Sequence, residues 1–435
     1  MTAIDDGRRR QEAGTAGELV RRALTEFLLL RDDPPATLDA ALAADPGAGR
    51  AVAFRAYLDL FAQTADALRS ARQLLDDAAA LGGEIDDQDR LHLLAARAWA
   101  DGEMEDAARL LDVAVERDGR DLLAVRIGHD LAFFLGDARN LRDGPARALS
   151  AWGESDPDWG LLQGMYAFGL EETGEYRRAE AAARGALRRD RRDVWAAHAL
   201  AHVLEMQGRP GEGIDFLSSS SPDWSASFFA IHNWWHLALY RIELGDDGGA
   251  VALYDGPIRA GGSDAWLDLV DATALLWRLS LLGVDVADRA ARLVPALEER
   301  LEEAIYPFND LHALMGFALA GRHDLVAALV AHRSHIREGT AGRALDAAGF
   351  DLLDGFASFG RGEHLRSMEL LRRARPRATV IGGSHAQRDV IDQTLLVAAA
   401  RAGEVGAVRA LVSERLERRH WSAESISRLA GGGLS

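Results

Sequence analysis

A glycine recurs at Gly102, Gly136, Gly174, Gly208 and Gly245, at spacings of 34, 38, 34 and 37 residues. That period belongs to helix–turn–helix repeats, in which each unit can bury its apolar face only against its neighbours. Small and aromatic residues keep phase with the glycine. Ala107 and Ala114 do so in DGEMEDAARLLDVAVERD, and Tyr176, Ala179 and Ala186 in TGEYRRAEAAARGALRRD. Trp234, Leu237 and Ala238 precede Gly245, and Ala250, Tyr254 and Pro257 follow it.

Weaker copies lie in LHALMGFALAGRHDLVAALVAH, LLDGFASFGRGEHLRSMELLRRARP and TLLVAAARAGEVGAVRALVSERL. No block of strand period competes. The pattern predicts an all-α, tetratricopeptide-like helical-repeat solenoid, an α/α superhelix curled around a central polar cavity. It reads as a single domain over residues 17–435, with repeats over 90–420. Residues 17–80 read as helices without repeat phase, broken at Pro34, Pro35 and Pro46, and residues 1–16 as disordered.

Composition limits the chemistry. The 435 residues contain no Cys, and all 50 basic residues are Arg. Thiolate nucleophiles, Fe–S clusters, Cys-ligated zinc, Schiff bases and a pyridoxal phosphate anchor are therefore excluded. The net charge of −18 argues against nucleic-acid or anionic-membrane partners. Arg188, Arg189, Arg191 and Arg192, like Arg372, Arg373, Arg375 and Arg377, follow helices, where the dipole favours cations. The first 17 residues lack the apolar run of a signal peptide and no stretch approaches a membrane span, so a cytoplasmic location is expected.

Reactive side chains concentrate on predicted first helices. In WAAHALAHVLEMQGR, His198, His202 and Glu205 stand at i, i+4 and i+7 and share one face. Phased from Gly208, that face points into the concave groove. His232 and His236 repeat the i, i+4 spacing on the next first helix. Imidazole with carboxylate suits a divalent metal such as Zn, Fe or Mn when thiolate is missing. His198, His202, Glu205, His232 and His236 are the expected ligands, with Glu205 also a candidate general base. The bland alternative is a set of hydrogen-bonded core histidines.

Other groups could line the same groove. His129 and Asp130 interrupt an apolar helix, Asn233 lies between the paired histidines, and His312 follows Asp310, itself read as a helix N-cap. Trp234 fits the core position, which leaves Trp235 to wall a pocket. Ser384 and Gln387 read as a capping box, with His385, Arg388 and Asp389 crowding the positive helix end. Arg388 is expected to clamp an anion and His385 to act beside it, facing the His198 cluster.

With these residues in view, the chain resembles the tetratricopeptide repeat protein 38 family. The resemblance lies in GHDLAFFLGD, GMYAFGLEETGEY, AAHALAHVLEM, HNWWHLALYRIELG, YDGPI, DLHALM and GGSHAQRDV, collinear from about residue 90 to 400. It implies a helical-repeat fold and puts His198, His202, Glu205, His232, Asn233, His236, His312, His385, Arg388 and Asp389 on matching positions. It implies no reaction. Two functional classes remain: a metal and small-molecule site, extending to a metal-dependent enzyme acting on a small acidic substrate, and a non-enzymatic scaffold holding a peptide or protein in its groove.

Overall fold

The computed structural model describes residues 3–82, 85–303 and 305–431, with side chains from residue 15 onward. No strand occurs among the described residues, which form successive helix–turn–helix pairs of a tetratricopeptide-like repeat. Five predicted turn glycines and four more, Gly283, Gly321, Gly362 and Gly403, have φ between +66° and +87°. Glycine reaches this left-handed region without the Cβ penalty that other residues incur. At eight of these nine turns the residue after the glycine donates its N–H to the carbonyl five residues back, as Arg209 does to Leu204 at 2.9 Å. This closure satisfies carbonyls that the first helix leaves open and starts the return helix in a fixed direction.

Contacts group the chain into two compact units, where the sequence pattern suggested one continuous domain. The first comprises Met1–Phe133, Ala138–Ala199 and Asp223–Phe229; the second comprises Phe134–Asp137, Leu200–Pro222 and Ala230–Ser435. The opening helix, Ala3–Leu28, takes in most of the stretch expected to be disordered. No helix among the described residues is long and apolar enough to cross a membrane.

In the first unit, small residues bring helices close. A Cβ on Gly169 would meet the backbone of Leu141 and Arg142, so the two helices approach main chain to main chain there. Buried polar groups are tied across helices. Asp121 accepts from the Ala124 N–H at 3.0 Å and from the Gln88 amide at 2.8 Å, and lies 3.0 Å from His92 Nε2. Burial pushes this carboxyl up, but His92, Arg50 and Gln88 outweigh it and hold Asp121 far below the ordinary range.

The second unit places its first helices inside. The segments Ala230–Glu243, Trp266–Leu281 and Pro307–Leu319 are buried along most of their length. Trp266–Leu281 packs against both its repeat neighbours and also against His385–Arg401. The Trp277 indole donates to Thr394 Oγ1 at 2.9 Å across 117 residues of sequence. Polar residues on these helices therefore enter an apolar interior and must find partners there.

Candidate metal centre

The second unit gathers three imidazoles. His202 comes from Val194–Met206, and His232 and His236 come from successive turns of Ala230–Glu243. Each offers a ring nitrogen within 4.8 Å of those of the others. The rings of His202 and His236 lie 4.4 Å apart and those of His232 and His236 4.9 Å. Helix geometry brings this about: an i, i+4 pair presents two rings on one face, and the facing helix supplies the third.

All three are buried, with His202 and His236 at 0% exposure. The sequence placed this face in an open groove; instead it faces other helices, because the repeat phase carries no information about what packs over it. Burial, reinforced by neighbouring imidazoles, holds His202 and His236 well below the usual histidine range. Both are neutral at neutral pH, the protonation state in which imidazole ligates a metal. His385, on Ser384's helix, acts on His202 electrostatically in the same direction.

One imidazole has its orientation set by a carboxylate. His232 Nδ1 lies 2.8 and 3.0 Å from the two oxygens of Asp271 on Trp266–Leu281. The carboxylate accepts from Nδ1, which leaves Nε2 as the nitrogen that could take a metal. The His232 ring also stacks on Trp235 at 5.2 Å and 15°. Trp235 is therefore not a pocket wall: it is fully buried, while Trp234, read as core, is half-buried. The two tryptophans exchange the expected roles because the His232–Asp271 contact fixes which side of the helix turns inward.

Glu205 stands at the edge of the cluster. Its Oε2 is 3.5 Å from His236 Nδ1, and its Oε1 accepts from Arg419 Nη2 at 3.2 Å. Asn233 is fully buried beside the histidines, with no hydrogen bond to either amide atom among the described residues. Asp389 is gripped by both Nη atoms of Arg415 at 2.6 and 2.7 Å. Burial pushes Asp389 up, but Arg415 and Arg419 hold it far below the ordinary range.

Residues 415–428 lie over this region. A Cβ on Gly208 would run into the Trp421 ring, and the Ser425 hydroxyl donates to Glu243 at 3.1 Å. Arg428 donates to the Ile242 carbonyl at 3.0 Å and pairs with Asp247. A small cleft of about 40 Å³ remains, lined by Glu205, Glu243, Arg278, Asp389 and Arg419 among others.

The other expected site residues have surroundings of their own. His198 lies one turn before His202 but belongs to the first unit, where its ring packs on Phe168, Trp195 and Phe229 at 5.0–5.2 Å. His129, also in that unit, has Nε2 3.1 Å from the Met165 carbonyl and is pushed down by burial. Asp130 is taken up by Arg126 Nε at 2.8 Å.

In the second unit, His312 Nδ1 donates to the Phe308 carbonyl at 2.7 Å, and burial lowers the ring to about 3. Asp310 is no N-cap: the helix starts at Pro307, and Asp310 pairs with Arg333 at 2.8 Å in the interior. The Ser384–Gln387 capping box forms as predicted. Arg388, expected to clamp an anion, points its Nη1 at the Gly382 and Gly383 carbonyls of its own turn.

Sequence reasoning passed over Asp271, Arg278 and Arg419. The first two had a signal, since they interrupt the apolar run WLDLVDATALLWRLSL on the first helix that follows the His232 helix.

No protein-family model matches the chain. Among solved structures it is similar to the TPR domain of P58(IPK), at 12% identity over 80% of this chain and 100% of that one, with a TM-score of 0.23. It is also similar to yeast Tom70, at 12% identity over 96% of this chain and 88% of that one, with a TM-score of 0.34. The assignment to a tetratricopeptide-like repeat rests on the chain's own helix pairs and turns.

Proposed function

We propose that the protein is a helical-repeat binding scaffold whose second unit is organised around one divalent metal ion, held by His202, His232 and His236. The observation that carries this reading is the convergence of three imidazole nitrogens within 4.8 Å in a buried setting, one of them oriented by Asp271. Carboxylate–histidine pairing of this kind fixes the ligating tautomer and raises its basicity. With no Cys in the chain, the ligand set is imidazole-rich, which suits zinc best and also Fe or Mn with carboxylate help. Glu205 serves as an outer partner of His236.

Burial of the histidine stripe weighs against a peptide lying along it. Protein or peptide partners in this reading meet exposed helix faces, and the metal centre stiffens the scaffold. The motifs shared with the tetratricopeptide repeat protein 38 family include most of these residues, which supports placing the chain near that family. Metal-dependent hydrolysis is the second reading, favoured by Glu205, which borders both the imidazoles and the cleft.

The test is elemental analysis of the full chain, purified without a histidine tag, beside the His202→Ala, His236→Ala double variant. The expected result is close to one equivalent of metal in the parent and none in the variant, with both folded by circular dichroism. Equal, sub-stoichiometric metal in the two would refute the proposal.

A further inference from the structure

Five arginines are buried among the described residues: Arg126, Arg278, Arg333, Arg415 and Arg419. Four of them hold a carboxylate: Arg126 pairs with Asp130, Arg333 with Asp310, Arg415 with Asp389 and Arg419 with Glu205. Arg278, only 2% exposed, does not. Its Nη1 donates to the Ala274 carbonyl at 3.1 Å, and its Nη2 donates to the Ala386 and Gln387 carbonyls at 2.7 and 3.1 Å. These bonds occupy three of the five N–H donors and provide no negative charge. The guanidinium lies over the Trp235 ring, 5.3 Å from its centre, and borders the cleft.

A buried cation without a counter-ion is costly, and proteins ordinarily pair it. Burial lowers Arg278 to about 10, a strong displacement for an arginine. The nearby acids are already committed. Asp389 is held by Arg415, Glu205 by Arg419, and Glu243 accepts from Ser425 while burial raises its proton affinity. Arg278 thus has no carboxylate paired to it among the described residues, and Arg419 borders the same cleft.

We propose that this cleft binds a small organic acid through its carboxylate, with Arg278 as the primary donor and Arg419 assisting. Size and charge select the ligand. A volume of about 40 Å³ admits a few heavy atoms, and one guanidinium outside the Arg415–Asp389 and Arg419–Glu205 pairs matches a monoanion better than a dianion such as phosphate. Leu239, Ile242 and Ala386 give the carbon end apolar contact. The anion-binding role that the sequence placed on Arg388 thus falls to Arg278, which forms no ion pair of its own and feels Asp389 and Glu205 only at longer range.

The assay is thermal unfolding and calorimetric titration of the full chain with sodium acetate, glycine, phosphate and chloride at matched ionic strength. Each is run in chelator and again with added zinc. Acetate is expected to raise the unfolding temperature saturably in both conditions, phosphate and chloride not; glycine, whose ammonium would enter beside Arg278, should bind more weakly than acetate. In Arg278→Met the acetate response should weaken at least tenfold in a chain that remains folded by circular dichroism. Arg278→Lys, which keeps the charge without the fork, should bind acetate several-fold more weakly than the parent and serves if the Met variant does not fold. Absence of an acetate-specific response in the parent, or its survival in the substituted chain, overturns the proposal. Because the chelator arm needs no metal, failure here is distinguishable from failure of the metal centre.

Discussion

Replacing Asp271 by Asn probes whether the His232–Asp271 contact serves a metal or only the packing. The carboxylate engages Nδ1 through both oxygens, at 2.8 and 3.0 Å, in a fully buried site. An amide offers one neutral acceptor, so the imidazole loses basicity and orientation while the volume is conserved. Loss of such an outer partner typically costs 10–100-fold in metal affinity, which is about 1.4–2.7 kcal/mol. The metal-free protein should hardly notice. Burial holds Asp271 above the ordinary carboxylate range, so its charge is disfavoured there, and an amide hydrogen bond replaces it at a cost of about 1 kcal/mol or less.

Competition titration with a chromogenic zinc chelator measures the affinity, and urea denaturation in excess chelator measures the metal-free stability. The expected pattern is weaker zinc binding by one to two orders of magnitude with nearly unchanged metal-free stability. Unchanged zinc affinity together with a loss above about 3 kcal/mol in the metal-free chain would assign the pair to packing and refute the reasoning.

Two further outcomes follow from buried charges. Asp193, 2% exposed, caps its helix by accepting from the Ala196 N–H at 2.9 Å, and burial raises it to about 7. A carboxyl raised on folding contributes stability that is complete below its unfolded value and is lost as pH climbs through its folded value, so the parent should weaken between about pH 4 and 7. Asn still caps and cannot ionise; the Asp193→Asn variant should therefore flatten that profile, by at most about 4 kcal/mol for a shift of about three units. Parallel profiles in urea titrations across this pH range would contradict it. Arg333→Met strips the buried Asp310 of its partner and should cost about 3–5 kcal/mol in chemical denaturation. Adding Asp310→Asn to that variant should recover part of the loss, and no recovery would mean that the Arg333 bonds to the Leu301 and Glu303 carbonyls dominate.

The fold was legible because Gly208 and its equivalents mark turns that only a positive φ can make, and that signal survives in the sequence unaided. The convergence of His202, His232 and His236 was legible for the same reason: i, i+4 spacing on adjacent first helices leaves little freedom. Their burial was not, since it depends on residues 415–428 returning over Glu205 and Glu243, contacts more than 180 residues apart that no local pattern announces. Trp234 and Trp235 exchanged roles for a related cause. Adjacent residues on a helix differ by about 100°, and a small error in phase decides which one faces inward. Asp310 resembled a cap because it precedes an apolar run, and only the distant Arg333 shows that it is an interior ion.

The return of residues 415–428 also bears on how the second unit comes together. A tetratricopeptide array joined only by neighbour contacts can fold repeat by repeat as it leaves the ribosome and can fray from either end. Here the Glu205–Arg419 pair closes a loop of 214 residues and Arg428 closes others of 181 and 186. The entropy of those closures must be met before the contacts form, so the contacts of Arg428 wait for its synthesis and are expected to form late. Once they form, the last helices are anchored at both ends of the unit, and unfolding begins elsewhere.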